Sequence, residues 1–324
     1  MKRSSFLFLS IFILMAGVSV AQFDGAVGTA GCKAIQYNDS RIVNWATTCT
    51  VYRGYFDIAN NRNRASFGYD SVAIGVATAS NTMEAVSLGD SGVAVLTFET
   101  PIANGEGADF AVYENGFDDG FLELAFVEVS SDGERYVRFP ATSNTPTATQ
   151  VGSFGNNMDP TLLNNLAGKY RIGWGTPFDL EELRDSTGID INNITHVRLV
   201  DCIGTINPQY CTYDANGNIV NDPYPTAFNS SGFDLTGVAV LNQRSTQIVL
   251  AKTVDIKAFP NPCRDFLKVA EMPIGEEYQI LDMRGNVVER GVCMQNSFCI
   301  STQGLKQGLY VLRIGSFAKK IVKQ

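Results

Sequence analysis

The chain of 324 residues contains one histidine, His196. With no histidine cluster and no CxxC among its seven cysteines, it lacks the ligand spacing of a zinc site. A Ser–His–Asp triad would have to use His196, and no GxSxG elbow accompanies it. The residue lies mid-strand in ITHVRLVD, where a packed histidine is the ordinary reading. The glycine groups GEG (105–107) and GWG (173–175) precede no helix with Lys-Ser/Thr, so they are not phosphate loops. Runs of Ala, Leu, Glu and Lys are scarce, which argues against a helical protein. Basic residues are also few in the larger part of the chain. Residues 22–250 hold 12 Lys+Arg against 26 Asp+Glu, a balance of −14. Such a segment repels nucleic acid and anionic membrane surfaces and attracts cations.

What is present is a composition of 45% hydrophobic and 18% charged residues, enough to bury a core. Gly, Thr, Asn, Val and Phe lean towards β-structure. The chain opens MKRSSFLFLSIFILMAGVSVAQ, with Lys2 and Arg3 before an apolar run over 6–18 and the small residues Ser19-Val20-Ala21. This is the pattern of a secretory signal peptide over 1–21 with cleavage after Ala21. Gln22 in place of Cys argues against a lipoprotein anchor. No later stretch approaches 18 apolar residues, so no transmembrane helix is expected in the mature chain. Secretion makes disulfides possible. Cys32–Cys49 and Cys202–Cys211 are each close enough to clip a loop, and Cys293 and Cys299 to flank a turn, with Cys263 left over. Spacing does not decide the pairing.

The charge balance reverses after residue 250: residues 251–324 hold 11 Lys+Arg and 7 Asp+Glu, a balance of +4. Two domains are therefore expected, 22–245 and 257–324, joined by a linker over 246–256. The second reads as short alternating strands closed by turns: FPNPCRDFLKV, YQILDMRGNVVERG, ISTQGLKQGLYVLRI and a basic KKIVKQ end. Phe266, Val269, Ile280, Leu281, Leu309, Val311 and Ile314 are its expected apolar repeats, and about seven strands would fit. These motifs closely resemble the type A C-terminal sorting domain of the type IX secretion system of Bacteroidetes. The resemblance implies export by that machinery, removal of the domain and, often, attachment to the cell surface.

The first domain also reads as strands. AVSLGDSGVAVLTFET, ADFAVYENG, ELAFVEVSSDGERYVRF, ITHVRLVDCIG and GFDLTGVAVL alternate or run apolar between turns. Short helices are expected only at 159–168 and 176–187, the second with Thr176 as cap and Pro177 at its first position. The fold class is thus all-β, a jelly-roll-like β-sandwich with two short helices, followed by a small Ig-like sandwich. Within FVEVSSDGERYVRF, Asp132-Gly133 supplies the turn of a hairpin. That hairpin, with HVRLVD and GFDLTGVAVL, resembles discoidin-like, galactose-binding-type jelly rolls over roughly 85–242. SLGDSGVAVLTF, DFAVYENGF, FVEVSSDG, LAGKY, GTPFDLEEL and GFDL together look like a family of bacterial cell-surface proteins.

Candidate sites lie in three places. The stretch ENGFDDGFLELAFVEVSSDG carries Glu114, Asp118, Asp119, Glu123, Glu128 and Asp132, with Asp109 just upstream and no basic residue before Arg135. Alternation puts Glu114 on the face of Phe110 and Val112, pointing inward at a strand end, where a bare carboxylate is costly. Calcium held by Glu114, Asp118 and Asp119 would neutralise it; the discoidin-type resemblance implies such a structural ion. The other reading is a hydrogen-bonded Glu114 over a solvated loop. YDANGNIVND offers Asp214, Asn216, Asn218 and Asp222 as a second calcium set, although Asn216-Gly217 favours a plain hairpin. LAGKYRIGWGTPF gathers Lys169, Tyr170, Arg171 and Trp174 as a binding face on which sugar rings would stack. The expected function is a secreted, surface-attached, non-catalytic binder of carbohydrate or another small ligand. A glycosidase-like hydrolase using Glu114 and Glu128, or a purely adhesive role, is the alternative.

Overall fold

A computed structural model describes residues 23–155, 157–244, 257–271, 274–315 and 317–324. The signal-peptide and linker assignments, 1–21 and 246–256, lie outside the described residues. The chain divides into two compact units, one ending at Arg244 and the other beginning at Ser245. Each is built of strands, and no described helix is long and apolar enough to cross a membrane.

In the first unit the strands are β1 Ile35–Gln36, β2 Asn44–Trp45, β3 Thr48–Tyr52, β4 Tyr55–Asp57, β5 Asn61–Arg64, β6 Val86–Ser87, β7 Val93–Ile102 and β8 Phe110–Glu114. They continue as β9 Ala125–Ser130, β10 Val137–Arg138, β11 Thr142–Ser143, β12 Leu163–Asn164, β13 Leu166–Ala167, β14 Trp174–Phe178, β15 Ile194–Asp201 and β16 Asp234–Val240. One sheet runs β1-β14-β8-β16-β2, with β6 also on β16. The other runs β10-β9-β15-β7-β3, with β13 also on β9. All these pairs are antiparallel. The two sheets form a sandwich whose core holds Leu96, Phe110, Val112, Val127, Val129, Phe178, Val197, Leu199, Val238 and Val240.

The alternation read from the sequence is observed, with one addition. Phe110 and Val112 enter the core between the sheets, while Ala111 and Tyr113 join a separate cluster with Ile35, Ala77 and Ala239 on the outer face of their sheet. Leu124, Phe126, Leu163, Leu166 and Cys202 similarly cover the outside of the second sheet. Central strands β8, β9 and β16 are therefore buried on both faces. Loops supply those outer layers, which is why long irregular segments can be retained.

The FVEVSSDGERYVRF hairpin forms as expected: β9 and β10 pair with Val137 opposite Val129, and Gly133 takes φ +80°. The Asp132 carboxylate accepts from the backbone of Glu134 and Arg135 at 2.9 Å each, which fixes the turn. The expected short helices shrink to single 3₁₀ turns, Pro160–Leu162 and Leu180–Leu183. Thr176 and Pro177 lie in β14, and the cap of the second turn is Asp179, which accepts from Glu181 N. Pairing of β14 with β8 outcompetes the local helix signal.

The second unit has seven strands: β17 Lys257–Phe259, β18 Phe266–Ala270, β19 Glu277–Asp282, β20 Val287–Val292, β21 Ser297–Ser301, β22 Gly308–Ile314 and β23 Phe317–Lys323. They form sheets β17-β18-β21 and β20-β19-β22-β23. Leu267, Val269, Ile280, Tyr310, Leu312 and Ile314 make the core. Phe266 and Leu309, expected inside, face out, so the buried register is one residue on from them. Asp282 closes the LDMRG turn by accepting from Arg284 N and Asn286 N. All seven cysteines are free thiols, so none of the three loop-closing pairs is formed.

Candidate functional site

The acidic stretch resolves into carboxylates with different surroundings. Asp118 accepts from Gly120 N and Phe121 N at 2.7 Å and closes its own turn. Asp119 pairs with Arg171 at 2.5 Å. Glu128, on β9, is held between Arg138 at 2.8 Å and Arg198. Glu114 and Glu128 thus belong to different sheets, and two guanidiniums already neutralise Glu128. The proposed catalytic pair Glu114–Glu128 is corrected on that ground.

Glu114 ends β8 and points inward as the alternation requires, 1% exposed. Its Oε2 accepts from Gly116 N at 2.6 Å, and its Oε1 has no partner. Asn115 turns the other way and donates to Thr82 O and to Asp234 Oδ2, at 2.9 and 3.0 Å. Asp234 begins β16, where it also accepts from the Ser87 hydroxyl of β6. Glu123 lies between Leu122 and Leu124 ahead of β9. It is 6% exposed, and neither a hydrogen bond nor an ion pair to another described residue satisfies its carboxylate.

Behind these, Asp90, Asp201 and Asp222 are buried but spent on loop backbone. Asp90 accepts from Ile58 N, Asp201 from Ser91 N and Phe233 N, and Asp222 from Leu124 N. Burial raises Glu114, Glu123, Asp201 and Asp222 well above the ordinary carboxylate range, with neighbouring carboxylates adding to the effect on all four. Burial pushes Asp90 and Asp234 up to about 7.

Glu123, Asp234 and Asn115 line a cavity of about 450 Å³. Its other walls include Phe117, Phe121, Phe154 and Phe228. Phe117 stacks on Phe121 with centroids 4.5 Å apart, and Phe154 meets Phe228 at 5.7 Å. Three of the four are exposed: Phe117 by 58%, Phe154 by 70% and Phe228 by 48%. The cavity therefore has an acidic interior and an aromatic mouth, and no Lys, Arg or His lines it.

The other sequence candidates fall elsewhere. Lys169 and Tyr170 are buried, and both bind the Asp24 carboxylate, Lys169 at 2.9 Å. They line a smaller cavity of about 250 Å³ with Asp24 and Glu182. Arg171 is turned to Asp119, and Trp174 is half-buried on β14. The four do not form an exposed aromatic shelf. Asp214 accepts from Asn216 N, Asn218 N, Ser143 N and the Asn218 side chain, so Asp214, Asn216 and Asn218 form a hydrogen-bonded turn. Asp222 is held apart from it by Leu124 N. Among the described residues, no three His, Cys, Asp or Glu are grouped as metal ligands. His196 bonds Thr195 through Nδ1 at 2.8 Å and meets Tyr136 edge-on, packed over the hairpin. The signal for the aromatic cavity was present in the sequence as Phe117, Phe121, Phe154 and Phe228, but they span 112 positions (228 − 117 + 1) and share no motif.

Residues 257–324 match the family model described as the secretion system C-terminal sorting domain. That match bears out the reading of the second unit: the chain is a secreted protein, exported by the type IX secretion system to the cell surface or extracellular space. No curated protein matches the chain. Among solved structures it is similar to PorZ, a surface component of the type-IX secretion system of Porphyromonas gingivalis. Identity is 14% and TM-score 0.21, over 28% of this chain and 14% of that one. A Ruminococcus gnavus β-glucuronidase shows 12% identity and TM-score 0.17 over 72% and 35% of the two chains. The BSP domain of a biofilm associated protein shows 10% and 0.20 over 88% and 53%. The chain spans less than two thirds of each of these structures, and likenesses this slight do not bear on activity.

Proposed function

We propose that the first unit is the binding module of this secreted protein and takes a carbohydrate or other small ligand into the cavity between Glu123, Asp234 and the four phenylalanines. One observation supports the reading above others: the exposed rings of Phe117, Phe154 and Phe228 line a cavity together with the unpartnered carboxylate of Glu123. Flat rings offer stacking surface for a ligand ring, and inner polar groups orient it. Phe154→Ala with Phe228→Ala removes exposed rings without opening the core. In a glycan and metabolite screen on the secreted chain, the double variant is expected to lose about tenfold or more of the affinity of any hit. Hits that bind the variant unchanged would overturn the reading.

A hydrolytic reading is favoured by a separate observation. Glu123 and Asp234 face one cavity, and the titration of Glu123 is raised by Asp234 as well as by burial. Glycoside hydrolysis uses two carboxyls at one cleft. Turnover of a chromogenic glycoside, abolished by both Glu123→Gln and Asp234→Asn, would support it, and turnover that survives either change would exclude it.

A further inference from the structure

Resting on the cavity reading above, we infer that the group taken into the interior is a protonated amine, presented by an amino sugar or a lysine side chain. The first ground is the partnering of the acids. Asp90, Asp201 and Asp222 each accept at least one backbone N–H, whereas Glu123, which lines the cavity, has no hydrogen-bond or ion-pair partner among the described residues; Glu114, not itself a lining residue, also leaves Oε1 without one. Both belong to side chains more than nine-tenths buried. An unpaired buried carboxylate is costly, and a molecule donating charge-assisted hydrogen bonds removes that cost.

The second ground is independent of the acids. Phe117, Phe154 and Phe228 are exposed at the lining beside Asn229, Ser153 and Ser230, and no cation is among the lining residues. Ring faces attract an ammonium through their quadrupole. The cavity volume of about 450 Å³ admits a monosaccharide or a lysine side chain. The cation that acts on Asp234 from within the protein is Arg53, and its guanidinium is already donated to the carbonyls of Phe67, Gly68 and Ser87.

Binding is linked to protons. The groups facing Glu123 are Asp234 of β16, Glu114 of β8, Asp222 and Asp201 at the end of β15, all acids. Together with burial they raise Glu123 well above the ordinary carboxylate range. An entering ammonium favours the ionised carboxylate, so Glu123 gives up any proton it holds when the amine binds.

The test is calorimetric titration of the secreted chain with glucosamine and with Nα-acetyl-lysine amide, each against its neutral N-acetylated counterpart. The two amine arms separate the sugar source from the lysine source. Expected is an affinity for one amine about tenfold or more above its acetylated partner. Proton release, read from buffers of different ionisation enthalpy, should accompany it, and both should disappear in Glu123→Gln. Glutamine fills the same space, and a melting temperature no lower than the parent's separates lost binding from lost folding. Acetylated ligands that bind as well as the amines would overturn the amine inference while leaving the cavity reading in place. Absence of binding by either amine overturns the inference also; the cavity reading then stands or falls on the Phe154 and Phe228 screen.

Discussion

Raising the pH from 5 to 8 is expected to destabilise the first unit, the reverse of what a protein rich in paired carboxylates does. Asp234 carries the argument because its folded value lies within reach of experiment, moved from 3.8 to about 7 by burial. A carboxyl raised in the folded state is most favourable to folding while protonated in both states. That contribution is complete below about 3.8 and is lost as pH climbs through about 7. A shift of three units corresponds to about 4 kcal/mol in all, of which roughly 2.5 kcal/mol falls between pH 5 and 8. At 2–4 °C per kcal/mol for a domain of this size, Asp234 alone lowers Tm by roughly 5–10 °C across that interval. Asp90, also raised to about 7, adds in the same direction, as do Glu114, Glu123, Asp201 and Asp222. Asp24, Asp57 and Asp214 are lowered, so their contribution is present at pH 5 and is lost only in stronger acid. Scanning calorimetry from pH 4.5 to 8.5 reads this directly, and Asp234→Asn, which keeps an acceptor for Ser87, should flatten the slope. A Tm that stays level or rises between pH 5 and 8 would refute the reasoning.

Other outcomes follow from single residues. Asp24→Asn strands the buried Lys169 ammonium and should cost about 3 kcal/mol or more in chemical denaturation, with Lys169→Met added to it recovering much of the loss; a neutral single variant would contradict the buried pair. Gly204→Ala brings a Cβ to 1.7 Å from Asp222 Oδ1. It should destabilise by about 1–3 kcal/mol or more, and full stability in that variant would mean the Asp222 contact is misplaced. Calcium against a chelator should shift Tm by no more than about a degree, because Asp118, Asp119 and Asp214 are spent on turns and on Arg171. A large upward shift would restore the calcium sets read from the sequence.

How much was legible differs between levels. The sandwich was readable because alternation in DFAVYENG and the Asp132-Gly133 turn are local signals with one geometric solution each. The inward aim of Glu114 came from the same alternation. The helices read at 159–168 and 176–187 did not form as such, because β-pairing of Trp174–Phe178 with Phe110–Glu114 overrides Thr-Pro and the acids behind it. In β18 and β22 Val269 and Ile314 are buried as read, but Phe266 and Leu309 face out; they are as apolar as their buried neighbours, and only the closing of the two sheets chooses between them. The site was half visible. Glu114 stood out, but the neutralisation of Glu128 by Arg138 and Arg198 depends on strands that pair across 70 positions (198 − 128). Lys169 and Tyr170 looked like a binding face until Asp24, 145 residues away, supplied their buried partner. Glu123 was counted among the acids, yet nothing local marks it as the one left without a partner.

The central claim is that the cavity between Glu123, Asp234 and the phenylalanines is where this secreted protein holds its ligand. The most direct measurement is a crystal structure of the secreted chain soaked with glucosamine or Nα-acetyl-lysine amide. The account predicts ordered ligand inside the cavity, its nitrogen within hydrogen-bond distance of the Glu123 carboxylate and its carbon frame against Phe154 or Phe228. Ligand bound at another surface, with only water against Glu123, would contradict it.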